Sequence, residues 1–562
     1  MIQRITFFSI LAIMISCETG NNAHKVISSG EVLYNGIILP EEWPPRNDVK
    51  YGDMDVPYLT SKPILIPINI GRQLFVDDFL IAETNLHREY YYPDFYEKNP
   101  VLKSDKDYEV TSIGEPYASP FSDGIWYDEE ARKFKIWYLT GGKLLFDEPQ
   151  SFVTAYAESD DGINWIKIDQ DVIPGTNIVE PHRRDGNVMW FDKAETNPAK
   201  KYKLFNVERR EYEPGKKGWI LVLRYSADGI HWGDIVAQSK RIGDRTTAFF
   251  NPFTEKWVLS IRVTGKGRVR DRNYLEDSNP EVLVNKLDNV LFPTKKDDVV
   301  FWFGPFDNEP RHPKHPDIDP QIYNHDAIAY ESILLGYFCV WQGPENSDCA
   351  KLHVQKRNEV LLGYSRDGFH WNRTDKTPFM GVNETEGAWN WGNMQSIAGV
   401  PIIVGDSLYF YSSGRMRNDL MWDACISTGM AKLRRDGFAS MNADENQGSL
   451  LTEKISFNGE YLFVNADVKG ELKAEILNAK GKVVKGFSKD DCITFTGNST
   501  KQSLSWKSGN LAKLKGEPVQ IKFYLTDGKL YAFWVSKWDS GESGGYTAGG
   551  GPGLHPSGKD IK

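Results

Sequence analysis

Acidic side chains recur at one place in each of four successive stretches of this sequence: Glu115 and Asp123, then Asp185, then Asp244, then Asp326 with Glu331. A fifth stretch carries Asn390 and Gln395 instead. Carboxylates brought close together repel, so a group of them is retained where unequal pKa values are useful. Glycoside hydrolysis is such a use: one carboxyl stays protonated to give its proton to the leaving oxygen, and another is ionised as base or nucleophile. Asp185, Asp244 and Asp326 form the expected triad, with Glu331 as general acid and Glu115 in reserve. Trp389 and Trp391 flank Asn390 and offer apolar faces on which a sugar stacks, while Asn324, His325 and Gln395 supply partners for hydroxyls. Packing between repeats is the equal alternative for the two tryptophans.

The elements that would position these residues are set by a repeat. Asp161, Asp228, Asp298, Asp367 and Asp436 are separated by 67, 70, 69 and 69 residues. Three of them share a pattern: Ser159-x-Asp161-Gly162-Ile163-Asn164-Trp165, Ser226-x-Asp228-Gly229-Ile230-His231-Trp232 and Ser365-x-Asp367-Gly368-Phe369-His370-Trp371. Around each copy, short β-branched and aromatic runs alternate with turn residues, four runs to a repeat. Fixed-period units of four strands predict an all-β, five-bladed propeller, which leaves only short protected edges. The Asp-Gly turns then lie on the rim, where Asp bonds its own backbone and Gly takes positive φ. The five repeated aspartates are scaffold. The acidic residues 40 to 55 positions earlier fall on the innermost strands, which converge on the axis.

After Gly448 a new alternation, including Tyr461–Asp467 and Val519–Leu525, predicts a β-sandwich. The expected organisation is a targeting segment over 1–16, an extension over 17–70, the propeller over 71–446, the sandwich over 447–540 and a Gly-rich tail over 541–562 that has no need of order. Residues 1–16 have a lone Arg4 and an apolar run from Phe7 to Ile15, too short to span a membrane. Ser16-Cys17 resembles a bacterial lipobox, with Met14 departing from the usual Leu. The expectation is a lipid on Cys17 and attachment to the cell envelope, or else secretion. The other four cysteines are too scattered for a disulfide framework, and no zinc spacing occurs. A net charge of −10 over 562 residues, without a basic run, excludes nucleic acid as a natural partner. No cofactor is expected; a structural calcium in the channel is the one ion the arrangement would admit.

The chain resembles the glycoside hydrolases built as a five-bladed propeller followed by a β-sandwich: the family 32 invertases and fructanases, the family 43 arabinosidases and xylosidases for the propeller, and secreted bacterial proteins of this type. The resemblance covers most of the chain. It rests on Leu74-Phe-Val-Asp-Asp78, Gly243-Asp-Arg-Thr-Thr247 with Asn251-Pro252-Phe253, Tyr323-Asn-His-Asp326, Ala329-Tyr-Glu-Ser332, Trp389-Asn-Trp-Gly-Asn393 and Arg434-Arg-Asp-Gly-Phe-Ala439. It implies an acidic triad in the channel, one residue from each of three blades. The family 32 triplets Asn-Asp-Pro-Asn-Gly, Arg-Asp-Pro and Glu-Cys are not found, and Asp244-Arg245 only loosely echoes the transition-state-stabilising Asp, so those catalytic residues are not carried over by motif.

Arg262, Arg268, Arg270 and Arg272 cluster beside Arg245 in an otherwise acidic chain. Guanidinium groups grip carboxylates and sulfates bidentately, which suits a uronic or sulfated sugar. Ion pairs with Asp271, Glu276 and Asp277 are the competing account. The chemistry expected is hydrolysis of an oligo- or polysaccharide. Its rivals are a non-catalytic carbohydrate-binding propeller and a lyase that takes a proton from a uronate using Tyr or His.

Overall fold

The computed structural model describes residues 30–46, 51–149, 151–264, 270–287, 298–398, 400–416 and 425–562. Cys17 and Arg268 lie outside them. The described chain is nearly all β, as expected. Among the described residues no helix is long and apolar enough to cross a membrane.

Five antiparallel units follow one another. In unit I, Ala118–Ser119 and Ile125–Asp128 both pair with Lys133–Gly141, followed by Phe152–Ser159 and Trp165–Ile166. Unit II runs Ile178–Phe191, Tyr202–Glu213, Lys216–Ser226 and Ala237–Arg241. Its long first strand also pairs backwards with Phe152–Ser159, fusing units I and II into one nine-stranded sheet. Unit III is Thr247–Asn251, Lys256–Thr264, Arg270–Asp277 and Val300–Phe303. Unit IV is Gln321–Glu331, Ile333–Gly343 and Arg357–Ser365, with bridges to Asn372 and Met380. Unit V is Asn393–Ile397, Ser407–Arg415 and Ile426–Arg434, completed by Asp94–Phe95, a strand that precedes unit I in the sequence.

The units close on themselves. The Asp185 carboxylate meets Arg245 across units II and III at 3.0 Å. The Thr247 hydroxyl donates to the His325 carbonyl across III and IV. Ser396 Oγ donates to Asn324 Oδ1 across V and IV (3.3 Å), and Thr428 Oγ1 to the Ala118 carbonyl across V and I (3.0 Å).

The repeated turns have a specific task in this cycle. Asp161 Oδ1 accepts the backbone N–H groups of Ile163 and Asn164, both at 2.8 Å, and Asp228 and Asp367 repeat the arrangement. The turn so fixed presents a carbonyl or carboxylate to the preceding unit. Tyr411 Oη donates to Gly162 O (2.8 Å), Trp137 Nε1 to Gly229 O (2.7 Å), Trp302 Nε1 to Phe369 O (2.7 Å) and Tyr330 Oη to Asp436 Oδ1 (2.6 Å). Gly229, at φ +78°, admits nothing larger, because a Cβ there would stand 2.6 Å from the Trp137 ring. Trp371 of the repeat is fully buried, whereas Trp232 is half-buried. Trp137→Ala should therefore cost about 3–5 kcal/mol in denaturant unfolding, and Trp232→Ala clearly less; equal losses would contradict this placement.

The C-terminal sheet is larger than expected. Tyr461–Asn478, Phe495–Leu504 and Val519–Ser536 form its centre, and Ala439–Ala443 and Gly448–Thr452 join them. Four short strands between residues 66 and 90 also belong to it, not to the repeat. The boundary at 71 is thus corrected, and the described part of the stretch, residues 30–46 and 51–70, is not a mere extension. Leu33, Ile37, Leu39, Tyr58, Ile66 and Ile68 are buried in the core of this sheet. Strands of two to four residues are too short to show a period.

The tail is corrected as well. Tyr546–Thr547 pairs with Gln321–Glu331, and residues 549–551 pass between units I and V. There Tyr127 N donates to Gly549 O and Ile403 N to Gly550 O, both at 2.9 Å. A Cβ on Gly551 would stand 1.8 Å from Ile403 O, and one on Gly545 2.2 Å from Glu331 Oε2. The glycines serve close backbone approach, not disorder.

Candidate active site

Asp185 lies in the first strand of unit II where its register slips between Arg184 and Asn187. Such a bulge re-aims side chains. Here Arg184 grips both oxygens of the fully buried Asp123 of unit I, while Asp185 faces Arg245 of unit III. Two glycines allow the approach: a Cβ on Gly186 would lie 2.9 Å from Asp244 O, and one on Gly243 2.1 Å from Arg262 O. Asp244 therefore stands beside Asp185, with Arg262 Nε 3.6 Å from its carboxylate. Arg245 lies over the Phe121 ring at 4.5 Å and near Tyr323 at 5.7 Å.

Asn324 and Asp326 project from one face of the first strand of unit IV, as a period of two requires. Asn324 Nδ2 donates to Asp326 Oδ2 at 2.8 Å and reaches Ser122 Oγ of unit I at 3.4 Å. The chain of contacts from Asp326 through Asn324, Ser122 and Phe121 to Arg245 and Asp185 links units I to IV.

Burial pushes the Asp326 carboxyl up to about 7, against the opposing pull of Ser122, Arg272 and Asn324. A void of about 10 Å3 touches it, lined otherwise mainly by Trp126, Met189, Ala398 and Val400, so little water reaches it. Asp185 is raised to about 6 by burial, with Arg245 opposing and Asp244 adding to the rise. Burial also drives Asp123 upward, but the fork of Arg184 holds both its oxygens and closes it to other partners. Arg272, wholly buried, is lowered to about 9 by burial and donates to the carbonyls of Arg245, Ser260 and Tyr323.

Other expected residues are elsewhere. Glu331 does not join Asp185, Asp244 and Asp326: five positions beyond Asp326, it has the opposite parity and ends the strand at φ +52°. It is fully buried against the C-terminal sheet, where Arg435 Nη2 (3.2 Å), Ser543 Oγ (2.6 Å) and the Arg72 backbone N–H (3.1 Å) bind it. Asp436 stands beside it, paired with Arg72 Nη1 at 2.8 Å. His325 points away from Asn324 and Asp326 into an aromatic cage of Trp302, Phe303, Phe338 and Trp371, with ring centroids 4.5–5.2 Å away, and burial lowers its pKa well below the usual histidine range. It is core, not a sugar ligand. Strict alternation along the strand was the signal that separates these residues.

Glu115 is buried in the loop ahead of unit I, its backbone paired with Thr111. Gln395 accepts from Arg415 Nη2 at 3.3 Å, next to the Ser396–Asn324 contact. Trp389 and Asn390 line a separate cavity on unit V that shares no lining residue with the Asp185 group, and Trp391 is half-buried in the turn that follows. Among the arginines, Arg262 pairs with Asp244, and Arg270 with Gln321 (2.7 Å) and Glu345 (3.3 Å). Asp271 and Glu276 bond Tyr51 and Tyr274 instead, and Asp277 pairs with Lys286. For Arg262, Arg270 and Arg272 the partners differ from those of the competing account; Arg268 lies outside the described residues. Arg184 and Tyr323 were not singled out from the sequence, although Arg183-Arg184-Asp185 is a conspicuous basic doublet.

Glu180, His182 and Glu208 bring ligand atoms within 4.8 Å of one another and could hold a metal ion. Glu208 is already engaged by Arg224, Arg210 and Asn206, and His182 by Glu180. Two guanidinium groups on one carboxylate do not suit a cation.

No protein-family model matches this chain, and no curated protein matches it. Among solved structures, an N-acetylgalactosamine deacetylase from F. plautii aligns at 13% identity with a TM-score of 0.37, covering 63% of this chain and 96% of that one. A glycosyl hydrolase from Bacteroides ovatus aligns at 10% identity and TM-score 0.37, covering 64% and 96%. A β-1,2-mannobiose phosphorylase from Listeria innocua aligns at 13% identity and TM-score 0.37, covering 61% and 96%. Scores at this level establish neither a shared fold nor a shared activity.

Proposed function

We propose that the five closed units are the blades of a β-propeller followed by a β-sandwich, and that the chain is a glycoside hydrolase acting on an oligo- or polysaccharide at the axis. The observation that carries the proposal is the pairing of environments: Asp326, shielded from water and held near 7, is linked through Asn324, Ser122, Phe121 and Arg245 to a partly exposed Asp185–Asp244 pair held among guanidinium groups. Asp326 gives its proton to the glycosidic oxygen. Asp185, ionised above about 6, acts as base or nucleophile, and Asp244 with Arg262 binds and orients the sugar. Glu331 has no part in the chemistry, and Glu115 takes no role.

A profile of kcat/KM against pH tests these roles. Asp185 must be ionised and Asp326 protonated, so activity should rise through about 6 and fall through about 7. A flat profile from 5 to 8 would remove both assignments.

One observation favours a second reading. Tyr323 lies within 5.7 Å of Arg245 and of Arg270 and within 5.4 Å of Lys356. Three cations around one phenol would bind a uronate and let Tyr323 move a proton in a lyase reaction. An unsaturated, ultraviolet-absorbing product distinguishes it from hydrolysis.

The cell-envelope location is part of the same proposal and rests on the Ser16-Cys17 junction. The wild type should partition with membranes, and Cys17→Ser should be released or left as precursor. Wild type found wholly in the soluble fraction rules out the anchor.

A further inference from the structure

A cavity of about 510 Å3 opens on unit V, within the range of roughly 300–1,000 Å3 typical of small-molecule sites. Its floor is Trp389. The indole lies flat on the Ser407–Arg415 and Ile426–Arg434 strands because Gly414 and Gly429 stand beneath it, where a Cβ would come within 2.1 and 2.0 Å of the ring. Packed from below on two glycines, the ring remains half-buried. Phe95, 37% exposed on the edge strand, meets Trp389 edge-on, with centroids 5.9 Å apart and planes at 75°. An open indole face walled by a second aromatic ring is a stacking platform for the C–H face of a pyranose.

The polar groups around it define the ligand. Asn390 is 1% exposed and lines the cavity; its Nδ2 donates to Gly381 O at 3.2 Å, while its Oδ1 has no partner. A buried amide oxygen left without a donor is unfavourable, and a ligand hydroxyl would relieve it. Glu97 and Glu384 also line the cavity, Glu384 paired with Arg357 at 2.6 Å, and no lysine or arginine is among its described lining residues. The Asn390 amide oxygen and the Glu97 carboxylate suit hydroxyl donors, and Glu97 repels carboxylates and sulfates.

We propose that this cavity is a second, non-catalytic binding site for a neutral saccharide, with a sugar ring stacked on Trp389 and a hydroxyl donated to Asn390 Oδ1. It differs in charge from the arginine-lined centre, so a chain could be held by neutral residues here while another segment meets the axis. The site stands whether or not the axis hydrolyses glycans, because binding alone is scored.

The test is saturation-transfer NMR and affinity electrophoresis on the mature full-length chain carrying Asp185→Asn. The probes are neutral xylo-, cello- and manno-oligosaccharides and, separately, oligogalacturonate. At least one neutral probe should bind, Trp389→Ala should weaken it tenfold or more, and Phe95→Ala should weaken it to a smaller extent. Oligogalacturonate retention should not respond to Trp389→Ala. If Trp389→Ala fails to fold, Phe95→Ala on the exposed edge strand carries the test. Absence of binding to every neutral probe, binding indifferent to both variants, or an acidic probe lost with Trp389 would each overturn the proposal.

Discussion

Asp326→Asn should lower turnover by about 10²–10⁴-fold, the usual contribution of a positioned general acid, and leave the fold intact. The direction of the stability change distinguishes this residue from a structural one. A carboxyl raised to about 7 in the folded state and near 4 when unfolded is protonated only in the folded chain between those values. The unfolded state then binds fewer protons, so stability falls as pH rises through that window. The amide escapes this penalty, and the variant's unfolding midpoint at pH 8 should equal or exceed that of the wild type. Asp185→Asn should be as inactive. A variant that unfolds, or one that keeps more than a tenth of wild-type turnover, would place Asp326 in the scaffold.

The largest stability effect is expected at the junction between the cycle and the C-terminal sheet. Arg72 is 1% exposed; it pairs with Asp436 at 2.8 Å and approaches Glu331 at 3.4 Å, donates to Thr500 O at 2.8 Å, and lies 4.2 Å over the Trp534 ring. Arg72→Met keeps most of the volume and removes the charge. It leaves Asp436, 0% exposed, without its guanidinium, and weakens the compensation of Glu331, also 0% exposed. Breaking one side of a buried ion pair typically costs about 3–5 kcal/mol. Denaturant unfolding should show that loss, while the folded fraction retains its turnover. The same logic separates Glu331 from the catalytic group: Glu331→Gln should lower the unfolding midpoint and spare activity. A stable but inactive Glu331→Gln protein would restore Glu331 to the chemistry.

What was legible in the sequence was whatever is encoded locally. The turns at Asp161, Asp228 and Asp367 are fixed by bonds spanning two or three residues, so their period announces the repeat, and the strands about each turn follow from β-branched and aromatic composition. The distance back from each turn leads to Asp185 on the first strand of its unit, but Asp244 falls in the turn just ahead of Thr247–Asn251, not on that strand. Misplacement began where parity or long-range pairing decides. His325 is one residue from Asp326, and Glu331 five; a period of two sends both to the face opposite Asp326. The strands between residues 66 and 90 join partners about 350 to 460 residues later, and nothing within them signals those partners. The glycines of the tail resemble those of a flexible linker until the backbone of Ile403 is seen against Gly551. The Asp123–Arg184 pair needed a bulge that no local pattern marks.

Incubating the mature protein with a panel of neutral and uronate-containing glycans, and following reducing ends and ultraviolet absorbance together, tests the central claim most directly. New reducing ends without unsaturated product, abolished in both Asp185→Asn and Asp326→Asn, is the predicted result. Unsaturated product, or reducing ends released equally well by the two variants, would contradict it.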